Sequence, residues 1–219
     1  MPSLNQIVAA HEPLLVIDAA SARIQLGRLA ADGNGRWEAS EEEAGVGVFR
    51  CVEALGVDLD AVGGFLFCAG PGSILGIRTV AMALRAWGVV VARPIFAYGS
   101  LELVAQALGQ PEVGIIADAR RDLWHVAQLG RPQQRVPATA LPDRVLMPEG
   151  FRHWSPLAPE RFGRTPYDVA AMLAMPQVRQ ADLFQPTEAP DAFVHENPTY
   201  VTWVPKMHGA PTGGGADAP

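Results

Sequence analysis

Disulfide frameworks and metal centres built from local motifs are not expected, because the residues that build them are scarce; ligands gathered from distant segments stay open. Only two cysteines, Cys51 and Cys68, occur in 219 residues. They are too few for a disulfide scaffold and lack the paired spacing of a zinc site, so two reduced, buried thiols are expected. The five histidines, His11, His125, His153, His195 and His208, stand too far apart for HxxxH or HExxH, where two imidazoles leave one helical face. No metal centre built from local motifs is expected. Basic charge is also short: 17 Lys+Arg against 23 Asp+Glu give a formal net charge of −6. The basic residues are scattered, so direct nucleic-acid binding by this chain alone is not expected. Long apolar runs are missing too. No segment approaches the roughly 18 consecutive apolar residues of a membrane span, and the first residues carry no basic stretch leading into an apolar one. The expected location is cytoplasmic, without membrane contact.

What is present can fold. Hydrophobic residues at 49% and charged residues at 18% allow a sizeable core, and the length suits one or two small lobes. The first half alternates strands and helices. Leu14 to Ile17, ending at Asp18, and Ala22 to Gly27 read as adjacent strands with a tight turn between them. A turn at Ala31 to Gly35 leads to a third strand near Arg36 to Ala39. Ser40-Glu41-Glu42-Glu43 has the form of a capping box and predicts a helix over 41–55, with Ala44, Val48, Cys51, Val52 and Leu55 on one face. Val46 and Phe49 widen its apolar surface.

Val62 to Cys68 reads as a buried strand, and a helix over 74–91 follows the turn Gly70-Pro71-Gly72-Ser73. That helix is apolar nearly all round. Two readings compete for it, a partner surface and deep burial. A strand at Ile95 to Tyr98 precedes a helix capped by Ser100 and ended by Gly109, completing the order βββαβαβα. A second unit starts with a strand at Gly114 to Asp118, a turn at Ala119 to Asp122, and a strand at Leu123 to Leu129. Six prolines between 132 and 159 leave no room for long regular elements. Thr165-Pro166-Tyr167-Asp168 predicts a helix start, with Thr165 as cap. The tail 209–219 is expected to be disordered, and no internal repeat is visible.

The most distinctive stretch is CAGPGSILGIR, Cys68 to Arg78. Gly70, Gly72 and Gly76 permit positive φ or close backbone approach, and a following helix N-terminus can face an anion. It matches neither a P-loop nor GxGxxG, so a plain tight turn is the competing reading. This stretch resembles the GRGPGSFTGLR signature of the TsaB family, older name YeaZ. VIDAAS at Val16 to Ser21 resembles the family's IDTST, IIADARRDLWHVA at Ile115 to Ala127 its IDARRGEVY, and Asn197 to Val201 its closing P-x-Y-L-R. The matches follow the family's order over about residues 14–203.

The resemblance implies an α/β, actin-like (RNase H-related) fold of two lobes, the second reduced. Lobes over 1–109 and 110–208 are expected. It also implies no catalytic centre. Such a subunit pairs with a TsaD-type subunit and, with a TsaE-type ATPase, supports threonylcarbamoylation of N6 of adenosine 37 in tRNA, which it meets only through the complex. The phosphate loops of actin-like ATPases bind through backbone N–H and hydroxyl groups, whereas this chain has Asp18-Ala19-Ala20-Ser21 and Asp118-Ala119-Arg120-Arg121 there. No cofactor of its own is expected, with ATP or ADP confined to the heterodimer junction, near Asp18 and Arg120. For Arg120, an ion pair with Asp118 or Asp122 is the alternative.

The family's interface helices correspond to 41–55 and 75–91. Expected partner contacts are Val48, Phe49, Val52, Ile74, Leu75, Arg78, Met82 and Arg85; for the two arginines a solvated face is the alternative. The chain departs from the family at Ile74 and Leu75 (Phe and Thr in the signature), at Cys68-Ala69 (Gly-Arg), at the lost threonines of IDTST, and at Glu41-Glu42-Glu43, where an HSE-type helix start is usual. Each change weakens a polar contact rather than the fold. Two other functions compete: a free-standing actin-like kinase or hydrolase, and a structural homodimer using the same two helices.

Overall fold

Apolar residues at consecutive positions in β1 (Leu14–Asp18) are all buried, which requires cover on both faces of its sheet. The computed structural model, which describes residues 1–30 and 35–192, supplies that cover. All but Gly35 of the turn expected at Ala31 to Gly35, the closing stretch 197–201 and the tail 209–219 lie outside the described residues. β2 (Ile24–Leu29) and β3 (Gly35–Ser40) extend β1 as an antiparallel meander. β4 (Gly64–Gly70) and β5 (Ile95–Gly99) lie parallel on its other side. The pleat then divides the side chains. Leu15, Ile17, Phe65 and Phe67 pack beneath α2 (Ala44–Ala54) and α3 (Ile74–Val90). Leu14, Val16, Leu66 and Cys68 face the opposite core with α1 (Leu4–His11) and α4 (Ser100–Leu108). Each such side chain contributes about 1.5–3 kcal/mol of burial.

The second sheet repeats the topology of the first. β6 (Gly114–Asp118), β7 (Leu123–Ala127) and β8 (Gln134–Pro137) form an antiparallel meander, and β9 (Val145–Pro148) and β10 (Gly163–Thr165) add in parallel. The two strand orders, 5-4-1-2-3 and 10-9-6-7-8, correspond strand for strand. No repeat is visible in the sequence because the two halves keep the pattern without the residues. The second lobe is reduced at its crossovers: 138–144 and 149–162 each hold a single 3-10 turn where the first lobe has α2 and α3. Pro142, Pro156 and Pro159 stand in those crossovers, and a proline ring is incompatible with a helix interior. α5 (Val169–Ala174) and α6 (Pro176–Arg179) follow. β11 (Gln185–Pro186) then returns to the first sheet beside β5, so the C-terminal part of the chain serves both lobes.

Several caps differ from expectation. α2 begins at Ala44 with no side-chain cap; Ser40 is the last residue of β3 and its hydroxyl accepts the Glu42 N–H, so the apparent capping box is a strand-end turn. Ser100 is the first residue inside α4, behind an N-cap at Gly99. Asp168, not Thr165, caps α5 and accepts from Ala171 N at 3.0 Å, while Thr165 closes β10. α1 has a capping box that the sequence reading passed over: Gln6 N–H donates to Ser3 Oγ and Ser3 N–H to Gln6 Oε1.

Candidate functional site

The segments around 19–23, 70–73 and 150–155 are tied together by backbone bonds, and Asp118 ties the last of them to the β6–β7 turn. Ser73 N–H donates to Ala20 O at 2.7 Å and Ala22 N–H to Gly150 O at 3.0 Å. The signature turn is spent on this junction. A Cβ on Gly72 would lie 2.3 Å from Ala20 O, and one on Gly76 2.2 Å from Ala19 O, so glycine is needed for α3 to sit on the β1–β2 loop. Ser73 caps α3, its hydroxyl accepting Gly76 N–H at 3.4 Å. Pro71 O accepts the Ser100 hydroxyl, and Gly70 takes φ +109. The Ser73 amide at the N-terminus of α3 is turned to the protein's own backbone. The Ser73 and Gly76 amides thus serve the turn and its cap.

Asp18, expected near nucleotide, is completely buried and its oxygens are already engaged. Oδ2 accepts Tyr98 OH at 2.6 Å and Tyr167 OH at 2.7 Å; Oδ1 accepts Ala20 N–H at 2.9 Å. Burial pushes its carboxyl above the usual aspartate range, against the opposing pull of these bonds. Cys68 Sγ lies 3.9 Å from Tyr167 OH, and burial raises the thiol well above its usual value, so it stays protonated and unreactive. Gln25 joins the same region: its amide donates to Tyr167 O and accepts Val169 N–H. Because Tyr167 follows β10 and Asp18 ends β1, this buried network fastens the second lobe to the first.

The second loop is occupied in a similar way. Asp118 accepts Trp154 N–H, Ser155 N–H, the Ser155 hydroxyl and Arg120 N–H. Partial burial pushes its carboxyl up, but those four donors outweigh it and hold it below the usual range. For Arg120 the ion-pair alternative is overturned. Its guanidinium pairs with neither Asp118 nor Asp122 but lies 3.5 Å from the centre of the Trp154 ring. Both loops thus spend their aspartate oxygens and the Ala20, Ala22 and Arg120 amides on bonds within the chain.

The two outer helices carry the other expected site. Phe49, Ile74, Leu75 and Met82 are exposed, Leu75 by 76%, while Ile77, Val80, Ala81 and Leu84 of the same helix face the sheet. Deep burial of α3 is therefore overturned. α2 and α3 touch through an edge-to-face contact of Phe49 with Trp87, ring centroids 6.4 Å apart. Val48 is corrected: it is fully buried under α2 and has no surface to offer. Val52 is half-buried against the same core. Arg78 is exposed, and Arg85 is engaged within the chain, donating to Pro190 O at 2.8 Å and pairing with Asp191 at 3.4 Å. The face also includes Val46, Val89 and Val90. The pair Val89-Val90 at the end of an apolar helix was a legible signal for it, whereas nothing local announces Tyr98 or Tyr167 as partners of Asp18.

No protein-family model matches the chain, and no curated protein does. Similarity is found among solved structures. YeaZ from Pseudomonas aeruginosa has 20% sequence identity and a TM-score of 0.54, with 74% of this chain and 89% of that chain covered. A structure described as an uncharacterized protein with similarity to peptidase YeaZ, also from Pseudomonas aeruginosa, has 20% identity and a TM-score of 0.51 over the same shares of the two chains. At this identity the likeness establishes the fold: the chain has the actin-like architecture of those proteins, with the second lobe reduced.

Proposed function

We propose that this chain is a divergent, non-catalytic subunit of the TsaB type, which docks through α2 and α3 on a TsaD-type subunit and, with a TsaE-type ATPase, supports threonylcarbamoylation of adenosine 37 in tRNA. The observation that carries the reading is the exposed apolar face of Phe49, Ile74, Leu75 and Met82 on two helices whose inner faces are already satisfied by the sheet. The YeaZ-like fold is consistent with it, and the Gly70–Ser73 turn of this chain leads directly into α3, one of those helices. Both phosphate loops are bonded to their own chain, which disfavours a free-standing kinase or hydrolase. Any ATP or ADP would then lie at the junction between subunits.

The test is size-exclusion chromatography with light scattering on the chain alone and mixed with a TsaD-type subunit. A 1:1 complex is expected. Phe49→Asp or Met82→Asp should each weaken it at least ~30-fold, the effect of losing about 2 kcal/mol at a central apolar contact. Met82 makes no ring contact within the chain and its variant should hardly move the thermal midpoint, whereas Phe49→Asp also loses the contact with Trp87, worth about 0.5–1.5 kcal/mol, and should lower the midpoint by a few degrees. Unchanged pairing in both variants would sink the assignment of this face, and a persistent homodimer that never yields a mixed complex would sink the function.

A further inference from the structure

The arginines that look scattered along the sequence are partly gathered by the fold. Ala22 N–H bonded to Gly150 O joins the backbone segments that carry Arg23 and Arg152, one and two residues from that bond. Asp118, bonded to Trp154 N, Ser155 N and the Ser155 hydroxyl, brings the turn of Arg120 and Arg121 to the same segment. All four arginines are exposed, and Trp154 is 62% exposed beneath the Arg120 guanidinium. We propose that this rim binds an unpaired stretch of nucleic acid, a base lying against the Arg120–Trp154 stack and backbone phosphates against Arg23, Arg121 and Arg152.

Three observations support it. First, the platform is held in place before any ligand arrives: Trp154 is fixed through its own backbone and the following serine, leaving the indole free to present a face. Second, Arg120, Arg121 and Asp122 adopt φ of +63°, +52° and +60°, a run of left-handed conformations that non-glycine residues rarely accept and that strains the turn displaying the arginines. The turn is retained by Asp118 accepting Arg120 N–H at 2.7 Å and by Leu123 N–H donating to Arg120 O at 3.1 Å. Third, the charge is not spent internally. Among the described residues the ion pairs involve Arg36, Arg50, Arg85 and Arg144, none of them on this rim. The acids on the same loops are Asp122 and Glu149, both exposed, and Asp118, whose oxygens are engaged.

The pairing of arginines with an exposed indole selects the ligand. An acidic peptide would satisfy the guanidinium groups and leave the ring in water, whereas every nucleobase has a face that stacks on an aromatic ring or a guanidinium plane. Duplex bases are already stacked and are excluded by the same argument. The rim uses no residue of α2 or α3, so this inference goes beyond the docking reading and its test needs no partner.

The experiment is fluorescence anisotropy of a labelled twelve-nucleotide uridine oligomer titrated with the full chain at low salt. Binding on the order of 10–100 μM is expected, with log K falling against log salt at a slope of about −2 for three phosphate contacts. Trp154→Ala should weaken binding about tenfold or more and Trp154→Phe much less. Arg121→Gln and Arg152→Gln should each lower affinity and make the salt slope shallower by about 0.7. Circular dichroism checks that the variants remain folded, as expected for exposed side chains. Absence of binding by the folded chain, equal binding by Trp154→Ala, equal binding of a duplex, or competition by uridine monophosphate as effective as by the oligomer would each overturn the proposal.

Discussion

Asp18→Ala is expected to lower the unfolding free energy by about 3–5 kcal/mol, read as a reduced denaturation midpoint in urea. The substitution removes the acceptor of three buried donors at once, Tyr98 OH, Tyr167 OH and Ala20 N–H. Each donor left without a partner costs about 1–3 kcal/mol, partly recovered where a tyrosine hydroxyl rotates. Asp18→Asn keeps the shape and one acceptor oxygen, so its loss should be smaller, and its pH dependence is diagnostic. Burial raises the Asp18 carboxyl above its unfolded value, so the native state holds the proton more tightly than the unfolded chain. The resulting stability is fully present below about pH 4 and is lost as pH rises through the folded value. Asparagine has no such dependence. The deficit of Asp18→Asn relative to the unmodified protein should therefore shrink between pH 4 and pH 8; a deficit that grows over that range would mean that the tyrosine hydroxyls stabilise the carboxylate by more than burial penalises it.

This network marks where reading the chain residue by residue stops working. The strands of the first lobe are legible because β1 and β4 are apolar at successive positions between turn residues, and α3 because its apolar stripe repeats over 17 residues. The exposed part of that stripe was visible as a surplus, since one sheet covers one side of a helix. What sequence spacing cannot supply is distance between remote segments. Tyr98 and Tyr167 lie 80 and 149 positions from Asp18, and neither carries a local sign of its partner. For Asp18 the sequence supports a loop carboxylate facing ligand as readily as a buried one. Trp154 and Arg120 pose the same difficulty: one stands in a proline-rich stretch and the other in a turn, and the fold joins them through the bonds of Asp118 and their own guanidinium–indole contact. The helix caps failed for a different reason. Ser, Thr and Asp hydroxyl or carboxylate groups satisfy turns and caps alike, so Ser40 and Thr165 were plausible at helix starts that the backbone makes three or four residues later.

Two alanine substitutions within α3 should act in opposite directions. Gly88→Ala meets nothing within 4 Å and replaces a glycine inside a helix, so it is expected to raise stability by up to about 1 kcal/mol. Gly76→Ala carries the same gain in helix propensity but must place a methyl group 2.2 Å from Ala19 O. The obstacle is a backbone oxygen in a buried loop rather than the end of a flexible side chain, so relief requires α3 to lift from β1. A net loss of about 3 kcal/mol is expected, at the upper end of overpacking costs. The lift has a second consequence, because Ile74 and Leu75 stand on the first turn of α3 and move with it. Gly76→Ala should therefore weaken pairing through the α2–α3 face even in conditions where the chain stays folded, whereas Gly88→Ala should leave the first turn in place. Calorimetric midpoints of the two variants, measured with their affinities for a TsaD-type subunit, separate the contributions. Equal midpoints would mean that the β1–β2 loop yields to the added methyl group, and the signature glycine would then not be what sets the position of α3.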